Sequence, residues 1–291
     1  MRYFYLNIGK LIVIFFIIFF NCKCFAFSTS DSTISSNPKQ RYLGISGGGG
    51  IGKVRDYGTS PLFYSGFLLS VKIEYIKYKS RNIFYYKIGG NTGNYRLKAD
   101  NRSFITSGNT FELKFSYLRD SELSNDEKLK NYFGTSIENI FNIRNNEAFM
   151  NAAVTRDNIG SISINYRLEY RFERKEKKVN IFNIIRYNRK EKEYLLSFDF
   201  TLPVYSLIYR PGFNLIGNGT LNEDKIFAGY EFNGKFLSGL NTDIGISRIL
   251  RNGNMVKISY YWDLFTTGDI AYNELNTTKH LLLFSFVFNF D

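Results

Sequence analysis

One stretch and three single residues are of a type and placing that could do chemistry. Gly47-Gly48-Gly49-Gly50-Ile51-Gly52-Lys53 satisfies most of the phosphate-loop pattern G-x-x-x-x-G-K-[ST]. That motif works through a Ser or Thr hydroxyl on magnesium and a helix whose N-terminus faces the phosphates. Val54 stands where the hydroxyl belongs, and Arg55-Asp56-Tyr57-Gly58 leads into a turn instead of a helix. A glycine-rich strand fits better, because residues without side chains let a sheet bend sharply or leave room for a neighbour's bulk. His280 is the only histidine, so metal clusters built on several histidines are excluded and one conventional general base remains. Asp199 and Asp263 are the acids placed within apolar runs. No cofactor and no metal site is expected.

The elements that must position these residues read as strands. In the closing stretch Lys279 to Asp291, Leu282, Phe284, Phe286, Phe288 and Phe290 alternate with Ser285, Asn289 and Asp291. Phe67, Leu69, Val71, Ile73 and Tyr75 alternate with Leu68, Ser70, Lys72 and Glu74. Phe111, Leu113, Phe115 and Tyr117 alternate with Glu112, Lys114 and Ser116, and Ile162 to Phe172 alternate with Ser163 to Glu173. A two-residue repeat gives each strand one apolar and one polar face. A soluble sandwich would turn the polar face to water, whereas a barrel in a membrane turns it to the lumen. Length and aromatic content tilt the choice: the runs reach about ten residues, enough for a tilted strand to cross a bilayer, and the chain holds 22 tyrosines and 29 phenylalanines.

Arg2 and Lys10 precede an apolar run from Leu11 to Phe20, and Cys24-Phe25-Ala26 offers a small residue for cleavage. Residues 1–26 therefore read as a secretory signal peptide, too short to span a bilayer as a helix. Neither Cys22 nor Cys24 follows a small residue, which disfavours a lipoprotein. With both cysteines in the leader, the mature chain can form no disulfide. The formal charge of +12 is scattered, three of its basic residues lie in the leader, and export argues against a nucleic-acid partner. Residues 27–40, rich in Ser, Thr and Asn, read as a flexible periplasmic N-terminus.

Residues 41–291 are expected to form an all-β, closed antiparallel transmembrane β-barrel of about twelve strands, with ten possible. The spans are 41–56, 62–78, 83–97, 103–118, 132–142, 160–173, 179–187, 193–205, 224–234, 240–250 and 255–265, and the closing strand completes the set. Arg251-Asn252-Gly253-Asn254 predicts a two-residue hairpin turn, since Asn-Gly accepts positive φ angles. Ser121 to Lys130 and Ser206 to Glu223 would be unusually long periplasmic connections, and Pro203 must mark a strand end or a bulge. By parity, Lys72, Glu74, Glu112, Lys114, Arg167, Glu169, Arg171, Asp199, Lys257 and Asp263 line the lumen, while Phe284, Phe286, Phe288 and Phe290 face lipid. Mixed signs can mean an ion-paired filling or a polar channel, and a barrel this narrow favours filling.

Asn252-Gly253-Asn254, Ser259-Tyr260-Tyr261-Trp262-Asp263, Leu202-Pro203 with Tyr209-Arg210-Pro211-Gly212, and the closing Phe286 to Phe290 resemble the small outer-membrane barrels common in the Bacteroidota. The resemblance implies a cell-envelope location and a monomeric barrel, and carries no activity. His280 also invites comparison with outer-membrane phospholipases, which carry H-x-S on the barrel's outer face, but the residue two further on is Leu282. The expected function is an integral outer-membrane barrel of a Gram-negative envelope, acting as a narrow porin-like channel or a structural, surface-exposed anchor without catalysis. A lipid-acting enzyme and a soluble periplasmic sandwich that binds ligand are the alternatives. Expected partners are outer-membrane lipid and lipopolysaccharide, and the barrel-assembly machinery during insertion.

Overall fold

The computed structural model describes residues 40–58, 60–99, 102–121, 126, 128–146, 154–181, 185–211, 230–267 and 274–290. The expected signal peptide, residues 1–26, and residues 27–39 of the expected N-terminal segment lie outside them. Thirteen strands follow in chain order: β1 Gln40–Asp56, β2 Ser60–Lys79, β3 Asn82–Ala99, β4 Arg102–Asp120, β5 Leu129–Asn145, β6 Val154–Arg174, β7 Lys177–Ile181, β8 Ile185–Arg189, β9 Lys192–Pro211, β10 Tyr230–Phe236, β11 Gly239–Ile249, β12 Met255–Thr267 and β13 Leu275–Asn289. β1 pairs antiparallel with both β2 and β13, and β6 with both β5 and β9, so the sheet closes on itself through β11 and β12.

The ring has ten strands, the lower of the two counts expected from the sequence. The span expected at 179–187 is split into β7 and β8, a ribbon paired only with itself between β6 and β9. The span expected at 224–234 becomes β10, which shares one edge of β9 with β11 and so continues the same staff of the barrel. Removing one strand before β9 reverses the side on which its exit lies. The long connection after Pro211 therefore leaves from the end opposite the start of β1, which removes one of the two awkward long connections; the one after Ser121 stays on the β1 side. We call the end where β1 begins and β13 stops the lower end, and the other the upper end.

Register sets the shape. Hydrogen-bonded neighbours followed once around, from Gly52 through Lys279, Asp263, Asn241, Thr201, Asn165, Gly134, Leu118, Ile83 and Tyr78, return to β1 at Gln40, twelve residues below the start. Ten strands with that stagger tilt by about 40° around a cylinder of roughly 10 Å radius. Such a bore is narrow enough for side chains to fill.

Two irregularities come from local chemistry. Pro203 cannot donate to a ladder, and the β6–β9 register slips there: Ile162 faces Tyr205 while Ser163 faces Pro203, leaving Val204 as the bulged residue. On the other edge, β10 and β11 break at Leu237-Ser238, where Leu237 takes φ 50° and its N–H donates to the Val204 carbonyl at 3.1 Å. The β11–β12 hairpin also departs from the two-residue turn. Gly253 N–H donates to Leu250 O at 2.9 Å and Leu250 N–H to Asn254 O at 2.8 Å, with only Gly253 left-handed in the turn (φ 78°). That is a three-residue loop, a type I turn followed by a left-handed glycine.

The Gly47–Lys53 stretch lies inside β1, with register partners on both sides. Its backbone N–H groups belong to sheet ladders, so they are not gathered around a phosphate. A Cβ on Gly50 would stand 1.8 Å from the His280 carbonyl oxygen, whereas one on Gly47 would meet nothing within 4 Å. Close approach of strands, together with space ceded to Leu68 and Tyr95 at Gly52, accounts for the glycines.

Candidate functional site

Alternation turns one face of each ring strand inward, and the barrel interior is where charged side chains gather. At the upper end Asp56 from β1, 5% exposed, accepts from Arg144 Nη2 of β5 and Arg210 Nη2 of β9, each at 2.7 Å. Arg144 Nη1 also lies 2.6 Å from Asp157 of β6, and Arg210 Nε 3.6 Å from the same carboxylate. β5 and β9 each stand four places from β1 around the ring, so these contacts cross the lumen. Two carboxylates and two guanidiniums thus tie opposite walls together in a charge-balanced group. Arg210 and Asp157 are each about 1% exposed.

Below it, Lys87 of β3 pairs with Glu112 at 3.2 Å and Glu138 at 3.7 Å. Lys72 Nζ lies 3.4 Å above the centre of the Tyr261 ring, reaching from β2 toward β12. Lys114 Nζ donates to Thr201 Oγ1 at 2.8 Å, three places away round the ring, and Thr201 donates in turn to Asn165 Oδ1. Lys257 pairs with Asp243 at 3.0 Å and Lys279 with Asp263 at 3.5 Å. Near the lower end Arg167 holds Glu169 at 2.7 Å and Asp199 at 3.5 Å, while Tyr78 Oη donates to Glu169 at 2.7 Å from the far wall. Struts therefore cross the bore at its top, middle and bottom.

The best-defined cavities among the described residues are small. A mid-lumen cavity of about 80 Å³ is bordered by Lys72, Glu74, Tyr85, Lys114, Asp199 and Asp243, and two higher ones measure about 20 and 10 Å³. These hold a few waters each at most, against the roughly 300–1,000 Å³ of a small-molecule pocket.

Of the ten residues expected along the lumen, Lys72, Glu112, Arg167 and Glu169 are buried inside it. Glu74, Lys114, Asp199 and Lys257 border the mid-lumen cavity, and Asp263 pairs with Lys279. Arg171 instead sits at the lower mouth with its side chain 55% exposed, paired with Glu193 at 3.2 Å. Sequence parity overlooked Lys87, Glu138, Asp243 and Lys279, although each alternates with outward neighbours and could have been found that way. Asp56, Arg144, Asp157 and Arg210 were less accessible to it, because the expected spans for three of them stopped at 142, began at 160 and stopped at 205.

Phe284, Phe286, Phe288 and Phe290 point outward and are exposed. His280 shares that face. Its Nδ1 lies 2.5 Å from Tyr260 Oη, and its ring stacks against Trp262 with centroids 6.3 Å apart. Among the described residues the His280 side chain contacts these two aromatics, and no serine hydroxyl is bonded to it.

The fold is an all-β, closed, antiparallel ten-stranded barrel with a filled lumen. No protein-family model and no curated sequence matches the chain. Among solved structures it is similar to the transport unit of the autotransporter AIDA-I from Escherichia coli, at 10% identity and TM-score 0.41 over 91% of this chain and 93% of that one. It is also similar to Neisserial surface protein A, at 7% identity and TM-score 0.33 over 86% and 98%, and to the P. putida toluene transporter TodX, at 7% and 0.30 over 88% and 91%. A likeness this low transfers neither an activity nor a ligand.

Proposed function

We propose that the chain is an integral outer-membrane barrel serving the envelope as a structural or surface anchor, its bore held shut by its own side chains. The outer face carries this reading. Outward positions such as Ile45, Leu69, Ile88, Leu113, Ile137 and Ile164 are exposed and apolar. On each of the ten ring strands four or five successive outward residues include no Asp, Glu, Lys or Arg. At the observed tilt of about 40° that band is about 20–25 Å tall, close to the roughly 25 Å of a barrel's hydrocarbon girdle. In water each such Leu, Ile or Phe would forgo roughly 1.5–3 kcal/mol of burial; in lipid the face is already solvated.

Aromatic rings flank the band, with Tyr75 and Tyr86 at 6.0 Å, Phe84 and Tyr117 at 5.3 Å and Phe133 and Tyr166 at 4.8 Å toward the lower end, and Tyr209 and Phe232 at 4.5 Å toward the upper end, as interfacial belts require. Export through the N-terminal leader and insertion by the assembly machinery fit that location, and ring closure removes the edges along which barrels of this kind could associate. No catalytic role is proposed for His280. In planar bilayers the refolded barrel is expected to insert without single-channel steps. Sustained porin-sized steps in the wild type would refute the closed-lumen reading, and recovery of the protein from cells without detergent would refute the membrane reading.

A further inference from the structure

Outside the lumen, basic side chains collect just below the lower aromatic belt on β1 to β4. Arg41 pairs in register with Lys77, Lys77 with Phe84, and Phe84 with Tyr117. One step lower, Lys79 pairs with Asn82, and Asn82 with Arg119. All of these occupy outward positions, Lys79 and Arg119 are exposed, and Lys77 is half-exposed. Tyr117 Oη donates to Asn82 Oδ1 at 3.1 Å, joining the belt to the basic row. Asp120, the nearest acid in the strands, has inward parity. Lys77, Lys79 and Arg119 form no ion pair among the described residues, in contrast to the lumen, where most charges are matched.

We propose that this sector binds the headgroups of anionic phospholipids, with the phosphate between Lys79, Asn82 and Arg119 and the acyl chains along the apolar outer face above. Charge sets the partner: a row of cations beneath an aromatic belt, with no carboxylate at the outward positions of β1 to β4 among the described residues, complements a phosphodiester and gains nothing from a net-neutral headgroup. The inference rests on the membrane reading given above, and the measurement separates the two.

The full-length barrel is reconstituted in phosphatidylcholine vesicles containing a minor fraction of spin-labelled phosphatidylglycerol or spin-labelled phosphatidylcholine, and the motionally restricted fraction is compared. Wild type is expected to restrict phosphatidylglycerol preferentially. The Lys77→Gln, Lys79→Gln, Arg119→Gln triple variant is expected to lose more than tenfold of that preference, at about fivefold per basic group. Arg248→Gln, a lone outward base on β11, should keep most of it. Equal restriction of both lipids by wild type, or an unchanged preference in the triple variant, overturns the proposal even if the barrel inserts normally. Should the triple variant fail to fold, phosphatidylglycerol selectivity in wild type that persists unchanged in high salt would equally overturn it. Failure of wild type to insert into vesicles of either composition would instead sink the membrane reading.

Discussion

Replacing Asp56 with Ala should destabilise the barrel more than any other single change in the lumen. The carboxylate is 5% exposed and takes a 2.7 Å contact from each of two guanidiniums on distant strands. Its removal leaves Arg144 and Arg210 facing Asp157 alone, so one buried positive charge loses its counter-ion. Breaking a buried ion pair by deleting one partner costs about 3–5 kcal/mol, and the group's charge balance places Asp56→Ala in that range. Trp262 is the only tryptophan and points outward, so its emission reports insertion during urea-driven unfolding from lipid vesicles. A second variant isolates the cause. Asp56→Ala with Arg144→Met restores a one-to-one balance between Arg210 and Asp157, and the double variant should recover about 1–2 kcal/mol relative to the sum of the singles. A single variant within about 0.5 kcal/mol of wild type, or strict additivity in the double, would refute the claim that the cross-lumen group braces the wall.

Three further outcomes follow from the backbone and the outer face. Ser80 holds φ 53° in the β2–β3 turn, so Ser80→Gly should stabilise by about 1 kcal/mol in the same urea titration, and a loss of stability would contradict the left-handed turn. Gly47→Ala has open space and should change stability by less than about 1 kcal/mol, whereas Gly50→Ala, whose Cβ would meet a carbonyl oxygen at 1.8 Å, should cost at least about 1–3 kcal/mol; similar effects at both positions would rule out the close approach of β1 to β13. Val71→Arg puts a charge within the outward apolar band and should cost about 2–4 kcal/mol in lipid, and tolerance of that substitution in a folded, inserted barrel would argue against a hydrocarbon neighbour.

Much of the fold could be read before any coordinates, because a strand with lipid on one side and charges on the other writes its orientation into every second residue. Lys72 and Leu69, or Ser285 and Phe284, fall on opposite faces for that reason alone. Parity fails where the repeat is interrupted. The split of the 179–187 span into β7 and β8 could not be seen, since a short ribbon and a barrel strand alternate alike. The bulge at Pro203 was foreseeable, because a proline cannot complete a ladder, but not the matching break at Leu237, which is set by the Val204 carbonyl on the neighbouring strand. Arg144, Asp157 and Arg210 lay beyond the expected strand ends, where no alternation marked them.

By itself, then, the order of residues determined that the chain makes long, two-faced strands, which side of each is apolar, and that its polar side carries both signs of charge. Only the tertiary structure decided how many strands close the ring and which charge meets which. A two-residue repeat is a property of one strand, whereas strand count and stagger depend on pairing around a whole circumference. Asp56 and Arg210 are 154 residues apart in the chain, and nothing local to either could show that the twelve-residue stagger brings them together across a bore of roughly 10 Å radius.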